Sequence, residues 1–278
     1  IVHCHAYTIG YFCLKAAKKA GIPVRIAHSH NNETVHDIKY LPKLFMQRLF
    51  TLNATDLFAC SEEAGKYLFK DKPFRVLKNA IDSQQFIANE NTRREVRQEL
   101  GLENKFVVGH VGRLHPQKNH DFLIDVFVEI KKKKSDAELI LIGTGPLEEK
   151  VRSKVADKGL TESVQFLGNR KDMNRIYQAM DVFVFPSLFE GLVAIEAQAA
   201  GVPIVCSEGL PPETDITPIY RKLMLSDGTE KWAEVALDMA KNPIVHTDMQ
   251  KYVINAGFDM SATAKNMEEY YLNRRSRR

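Results

Sequence analysis

Short apolar runs alternate with stretches of helical spacing along most of this chain. Residues 106–111, 137–142, 164–167, 183–185 and 204–206 are almost continuously apolar, the pattern of strands covered on both faces. Between them, residues 121–134, 147–158 and 173–180 carry apolar positions at helical spacing and predict helices, and 232–240 is the clearest helix in the remainder. The alternation predicts parallel sheets joined by right-handed crossovers, with about five strand–helix units between residues 83 and 258. Residues 1–82 repeat the theme in shorter pieces. Strands are expected over 1–5, 22–27, 56–60 and 74–77, and helices over 7–20, 37–53 and 64–69. Gly21 stops the first helix and Ser61 caps the third. A charged helix over 92–100 leads into the second region.

Composition changes this picture little. Of 278 residues, 44% are hydrophobic and 27% charged, an ordinary globular balance with room for two α/β domains. A net charge of +4 is too mild to argue for a nucleic-acid partner. It suits an anionic ligand or a weak peripheral contact with a membrane surface. Arg274, Arg275, Arg277 and Arg278 hold much of the excess and read as a solvated tail in preference to a lipid-facing patch. Cys4, Cys13, Cys60 and Cys206 lack metal or disulfide spacing, as buried thiols in a reducing cytoplasm do. The expected location is therefore the cytoplasm, at the inner membrane face if the tail meets lipid. The opening Ile1-Val2-His3-Cys4-His5 has the pattern of a strand interior, so the chain is expected to begin inside a domain.

Candidate chemistry gathers at strand ends, where open parallel sheets bind ligands. After the strand at 183–185 a tight loop leads into a short helix closed by Gly201-Val202-Pro203, and Glu190 and Glu196 bracket the loop. A helix start offers free N–H groups and partial positive charge, which suits a nucleotide or phosphosugar. Gly112, Arg113 and Lys118 follow the strand at 106–111. The two cations could clamp a diphosphate over the sheet edge, or belong to a solvated loop. Gly143-Thr144-Gly145-Pro146 departs from GxGxxG and is no nicotinamide fingerprint. Glu190 and Glu196 could suggest the carboxylate pair of a glycoside hydrolase. With Glu196 inside the predicted helix, accepting ligand hydroxyls or complementing the helix dipole fits better. His28 and His30 can bond a hydroxyl or phosphate, or move a proton. His3-x-His5 and His28-x-His30 also have metal-site spacing. With no third ligand evident for either pair, no metal is expected, and His3 and His5 read as structural.

Taken in order, Gly112-Arg113 with Lys118, Gly143-x-Gly145-Pro146, Phe166-Leu167-Gly168, Pro186-Ser187-x-x-Glu190-Gly191 and Ile195-Glu196-Ala197-x-Ala199-x-Gly201-x-Pro203 resemble retaining glycosyltransferases of family 4. Ala27-His28-Ser29-His30-Asn31, Phe58-Ala59-Cys60-Ser61 and Lys78-Asn79-Ala80-Ile81-Asp82 are similar to the bacterial capsular and exopolysaccharide members. The resemblance implies an α/β GT-B architecture of two Rossmann-like domains, the first truncated. Residues 1–82 would be a partial acceptor-side domain, 83–258 the nucleotide-sugar domain, and 259–278 a helix crossing back. By the same resemblance Gly112, Arg113, Lys118 and the N–H groups near Leu192 and Val193 hold the donor diphosphate. Glu196 holds the ribose, Glu190 faces the donor sugar, and Gly145, Asn169 and Arg170 lie near the base. His28 stands nearest the reacting centre, with His30 in reserve. The implied reaction moves a sugar from a nucleotide-sugar donor, UDP-linked by expectation, to a glycan or lipid-linked acceptor, with retained configuration and without a metal or other cofactor. Two alternatives are a donor-binding but inactive module and a nucleotide-sugar epimerase of the same architecture.

The sequence departs from the family twice. The two carboxylates are separated by seven residues in the family, whereas Gly191, Leu192, Val193, Ala194 and Ile195 alone intervene here. A true deletion would turn the helix start by about half a turn relative to Glu190 and weaken donor binding. The alternative is two residues missing from the sequence. The family's opening strand and glycine-rich loop also have no counterpart in residues 1–20.

Overall fold

The computed structural model describes residues 1–6, 9–30, 49–189, 191–241 and 249–276. Of the expected features, Glu190, most of the helix over 37–53 and the arginines at 277 and 278 lie outside the described residues. The chain forms two compact units, Ile1–Ala80 with Met260–Arg278, and Ile81–Asp259.

The first unit holds a four-stranded parallel sheet in the order β1-β2-β3-β4: β1 (Val2–Cys4), β2 (Arg25–Ser29), β3 (Asp56–Ala59) and β4 (Arg75–Val76). Helix α1 (Gly10–Lys19) turns Gly10, Leu14 and Ala17 inward. Helix α2 (Glu62–Phe69) starts at Ser61, whose Oγ accepts the Ala64 N–H at 3.1 Å. One expectation fails here. The strand foreseen over 22–27 runs instead over Arg25–Ser29, so His28 and Ser29 are strand residues and not loop. Pro23 has no N–H to give a ladder. Beyond it the pairing continues through His28↔Phe58 and Ser29↔Ala59, and Ser29 Oγ donates to the Ala64 carbonyl at 2.8 Å.

The second unit holds six parallel strands: β5 (Phe106–Val111), β6 (Ala137–Ile142), β7 (Val164–Gly168), β8 (Val182–Phe185), β9 (Ile204–Ser207) and β10 (Tyr220–Leu223). Their order is β10-β9-β8-β5-β6-β7. Both faces are covered, as the continuous apolar runs require. Val107, Ile140, Phe183 and Phe185 point into one core, while Val108, Leu139, Leu141 and Val184 point into the other. The helices are α3 (Glu90–Glu99), α4 (His120–Lys133), α5 (Glu148–Asp157), α6 (Met173–Ile176), α7 (Leu192–Ala199), α8 (Thr229–Lys241) and α9 (Met249–Asn255). Arg93 and Arg97 of α3 share the Asp181 carboxylate at 2.5 and 2.6 Å, and Asp181 also accepts the Val107 N–H. That junction fixes α3 against the entry to β8. β10 was not foreseen. It is an edge strand with exposed Arg221 and Lys222, so it lacks the apolar run that marks the central strands. The helix expected over 173–180 divides into α6 and a 3-10 turn, Tyr177–Ala179.

Helix α10 (Met260–Ser276) belongs to the first unit. Tyr270 and Arg274 donate to the two oxygens of Asp56 at 2.6 and 2.7 Å, and Met267, Tyr270 and Tyr271 pack against Val24, Ile26 and Phe58. These bonds hold the Asp56 carboxyl below its ordinary range although burial pushes it up. No helix among the described residues is long and apolar enough to cross a membrane.

Candidate functional site

In the second unit the chain winds from β5 through β6 to β7, then returns to β8 on the other side of β5 and continues to β9 and β10. Strand order therefore reverses between β5 and β8. In parallel sheets of this kind, the crevice beyond the carboxyl ends at such a reversal is the ligand position. The loop after β5 carries Gly112, Arg113 and Lys118, and the loop after β8 leads into α7. Gln117 ties the two together: its carbonyl accepts the Leu188 N–H at 2.8 Å, and its side-chain amide donates to the Phe189 carbonyl at 3.1 Å. Ser187 Oγ also donates to the Phe189 carbonyl, and Ser207 Oγ donates to the Ser187 carbonyl.

Glycines let backbone and cation approach each other. A Cβ on Gly112 would sit 3.0 Å from Cγ of Lys118, so the lysine stem lies along the bare glycine. Lys118 ends a 3-10 turn, Pro116–Lys118, followed by Asn119 in the left-handed region. Its side chain is 5% exposed, with Nζ 5.0 Å from the centre of the Phe185 ring. His110 and His120 pack edge to face beside it. Burial first, then the Lys118 charge, brings the His120 pKa down to about 4. Burial likewise holds His110 well below its usual value. Two neutral imidazoles thus accompany the lysine. Arg113 is exposed at the loop surface.

Helix α7 begins after Gly191, which gives it no side-chain cap, so its first-turn N–H groups, Leu192 and Val193 among them, face outward from the helix start. One turn on, Glu196 is half-buried. Its Oε2 accepts the Tyr177 hydroxyl at 3.0 Å. Burial raises the Glu196 pKa, and the Tyr177 bond draws it back down. Tyr177, like Gln117, was invisible in the sequence as a site residue. It lies nineteen positions before Glu196 (|i−j| = 19), in the unforeseen 3-10 turn.

The loops that carry Gly145 and Asn169 meet at the ends of β6 and β7. The Gly143 N–H donates to the Gly168 carbonyl at 2.8 Å, and Thr144 Oγ1 bonds Asn169 Oδ1 at 3.4 Å. A Cβ on Gly145 would fall 2.4 Å from the Leu114 carbonyl oxygen, so only glycine fits there. Arg170 is turned to Asp172 in a two-pronged bond of 2.8 and 2.6 Å. Its guanidinium already has a partner, which separates it from Gly145 and Asn169 in character.

The candidate histidines lie in the first unit. Val2 pairs with Arg25 and His3 with Ile26. Alternation then puts His3, His5, Ile26, His28 and His30 on one face of the sheet. His3 Nε2 and His28 Nδ1 are 3.0 Å apart, His5 Nδ1 and His30 Nε2 2.8 Å, and His3 Nδ1 lies 2.6 Å from the Tyr271 hydroxyl. His28 is 3% exposed, whereas His5 and His30 are open to solvent. Burial, and then the neighbouring imidazoles, lower the His28 pKa to about 3 and that of His3 to about 4. The shortage of ligands foreseen for each His-x-His pair does not hold, because parallel pairing of β1 with β2 sets the two pairs side by side.

Residues 105–242 match the family described as glycosyl transferases group 1. The chain is 35% identical over 246 residues to EpsF of Bacillus subtilis (strain 168), a glycosyltransferase by its name, covering 84% of this chain and 64% of that protein. It is 31% identical over 223 residues to the UDP-Gal:alpha-D-GlcNAc-diphosphoundecaprenol alpha-1,3-galactosyltransferase of Escherichia coli, covering 74% of this chain and 57% of that one. The chain thus spans less than two thirds of either relative. Among solved structures, Anabaena HepE in complex with UDP superposes with a TM-score of 0.79 at 20% identity, covering 98% of this chain and 78% of that one. WaaG, a glycosyltransferase involved in lipopolysaccharide biosynthesis, gives 0.67 at 15% identity over 95% of this chain and 82% of its own.

Proposed function

We propose, for a chain whose residues 105–242 match the group 1 glycosyl transferases and whose fold is that of the GT-B transferases, that it moves a glycosyl group from a UDP-sugar to a glycan or lipid-linked acceptor in polysaccharide or glycoconjugate synthesis. The observation that carries this reading is the buried Lys118 laid along Gly112 at the strand-order reversal, with the uncapped start of α7 following the neighbouring strand. A diphosphate needs several fixed donors and positive charge in one crevice. HepE was solved with UDP, which supports the choice of nucleotide, and the E. coli relative uses UDP-galactose and a lipid diphosphate acceptor by its name.

In the proposed reaction the bond between the anomeric carbon and the diphosphate oxygen breaks, and the acceptor oxygen takes that carbon with retained configuration. Lys118, Arg113 and the α7 start stabilise the charge gathering on the departing UDP, the work a metal does in other transferases. Glu196 accepts ribose hydroxyls, Gly145 and Asn169 line the base, and Glu190 serves the donor sugar. His28 is assigned to the transfer step. His28→Ala is therefore expected to slow turnover and leave UDP affinity within about twofold; a large loss of UDP affinity would move His28 into donor binding. Isothermal titration of UDP tests the whole reading. One molecule bound per chain is expected, while neither heat nor thermal shift at millimolar UDP would overturn it. The five-residue interval between Glu190 and Glu196 favours a second reading, a donor-binding module without turnover. UDP bound without release of sugar from any UDP-sugar would select it.

Acidification supplies a separate check on Glu196. Its carboxyl must be ionised to accept two hydroxyls, and burial raises its pKa. As pH falls through that raised value, the protonated form takes over and UDP affinity falls. Glu196→Gln should bind about tenfold more weakly at neutral pH, as expected for loss of a charged acceptor, with a flatter pH profile. Parallel profiles in the native protein and the variant would remove Glu196 from the ribose site.

A further inference from the structure

We infer that His3, His5, His28 and His30 form a binding site for a borderline first-row divalent cation, with Zn²⁺ as the reference ion. The ligand atoms of His3, His5 and His28 lie within 4.8 Å of one another. Within this group His3 Nε2 and His28 Nδ1 are 3.0 Å apart, and His30 stands at its edge as a fourth imidazole, with Nε2 2.8 Å from His5 Nδ1. Each of these contacts is two ring nitrogens facing across one shared proton. Tetrahedral zinc with bonds near 2.0–2.1 Å needs ligand nitrogens about 3.3 Å apart. Replacing the shared proton by a cation therefore asks each pair to open by only a few tenths of an ångström.

Three further features suit a metal. Tyr271 lies 2.6 Å from His3 Nδ1. If that nitrogen carries the proton and donates it, Nε2 keeps its lone pair for a metal, the arrangement in which an outer partner fixes a ligating histidine's tautomer. His28 and His3 come from adjacent strands of a parallel sheet, so the two inner ligands are held by backbone. His5 and His30 are exposed and can turn to complete the shell, leaving an entry route from solvent. Neutral imidazoles select Zn²⁺, Co²⁺, Ni²⁺ or Cu²⁺ over Mg²⁺ and Ca²⁺, which prefer oxygen. Occupancy would hold a nitrogen of His28, the residue assigned above to the transfer step, so the two readings share that side chain, while all four ligands come from the first unit.

The test uses the full untagged chain, stripped with a chelator. Titration with Co²⁺ should give the visible absorption of a tetrahedral site at one ion per chain. Zn²⁺ should displace it, and competition with a chromophoric chelator should give a dissociation constant of about micromolar or tighter. His5→Ala removes an exposed ligand without touching the core and should weaken Zn²⁺ by at least about tenfold. Combining it with His28→Gln should abolish the cobalt spectrum, and His115→Ala, a histidine exposed in the second unit, should change nothing. Absence of stoichiometric uptake, a spectrum that survives the double variant, or one lost in His115→Ala would each overturn the site. UDP affinity is read separately, so failure here leaves the donor reading standing.

Discussion

Lys118→Ala is expected to lower UDP affinity by about ten- to a hundredfold, the effect of removing a charge-assisted bond to a phosphate in a partly dehydrated crevice. The lysine is 5% exposed and its stem lies along Gly112. Its position is set before any ligand arrives, and little side-chain entropy remains to be lost on binding. Removing the stem also opens space beside Phe185 and His120, so Lys118→Met is the cleaner variant. It keeps most of the packing and deletes the charge. If Lys118→Met matches Lys118→Ala in titration with UDP, charge is the cause. If Lys118→Met binds like the native protein, the lysine is a packing residue and the proposed clamp loses its centre. Arg113 is exposed, where a cation is screened by solvent. Arg113→Ala should therefore cost less than either.

The difference between those two cations shows what the sequence could and could not convey. Gly112, Arg113 and Lys118 were legible as a group because the strand before them is apolar on both faces and the break in its pattern is sharp. Their unequal burial was not legible, because it depends on Phe185 and His120, which reach the lysine from β8 and α4. The central strands β5, β6 and β8 were read correctly for the same reason of two-sided burial. β10 escaped because an edge strand has no need of apolar residues on every position. Tyr177 escaped for a different reason: a phenol beside Ile176 at a helical core position looks like core, and its hydroxyl bonds Glu196 from a 3-10 turn that the pattern did not mark. The histidine pairs were each visible, but their meeting is a matter of strand register. Pairing His3 with Ile26 brings together residues twenty-five apart in sequence (|i−j| = 25), which no local pattern encodes.

The same dependence on neighbouring strands makes Gly143 the position where one methyl group should do most damage. Its φ is +129°, a region closed to residues with a Cβ, and a Cβ built there falls 2.2 Å from the Gly112 carbonyl oxygen. The Cβ is fixed by its own backbone and the oxygen is backbone, both at the ends of paired strands, since the Gly112 N–H donates to the Ile142 carbonyl and the Gly143 N–H to the Gly168 carbonyl. No rotamer can relieve the overlap, so the strand ends themselves must part. Backbone strain of this kind costs about 1–3 kcal/mol, and the overlap adds to it, for a total of about 3 kcal/mol or more. In a unit of this size that lowers the melting temperature by about 6–12 °C. Gly168→Ala provides the comparison. Its φ is +61° but nothing lies within 4 Å of the added Cβ, so strain alone acts and the cost should be about 1 kcal/mol. The displacement at Gly143 also moves Gly112, along which the Lys118 stem lies. Gly143→Ala should therefore lose UDP affinity even at temperatures where it remains folded, and Gly168→Ala should keep it. Melting of Gly143→Ala within about 2 °C of the native protein would mean that the β5 and β6 ends can separate freely. In that event the ledge between Gly112 and Gly145 could not be the rigid platform that the donor reading requires.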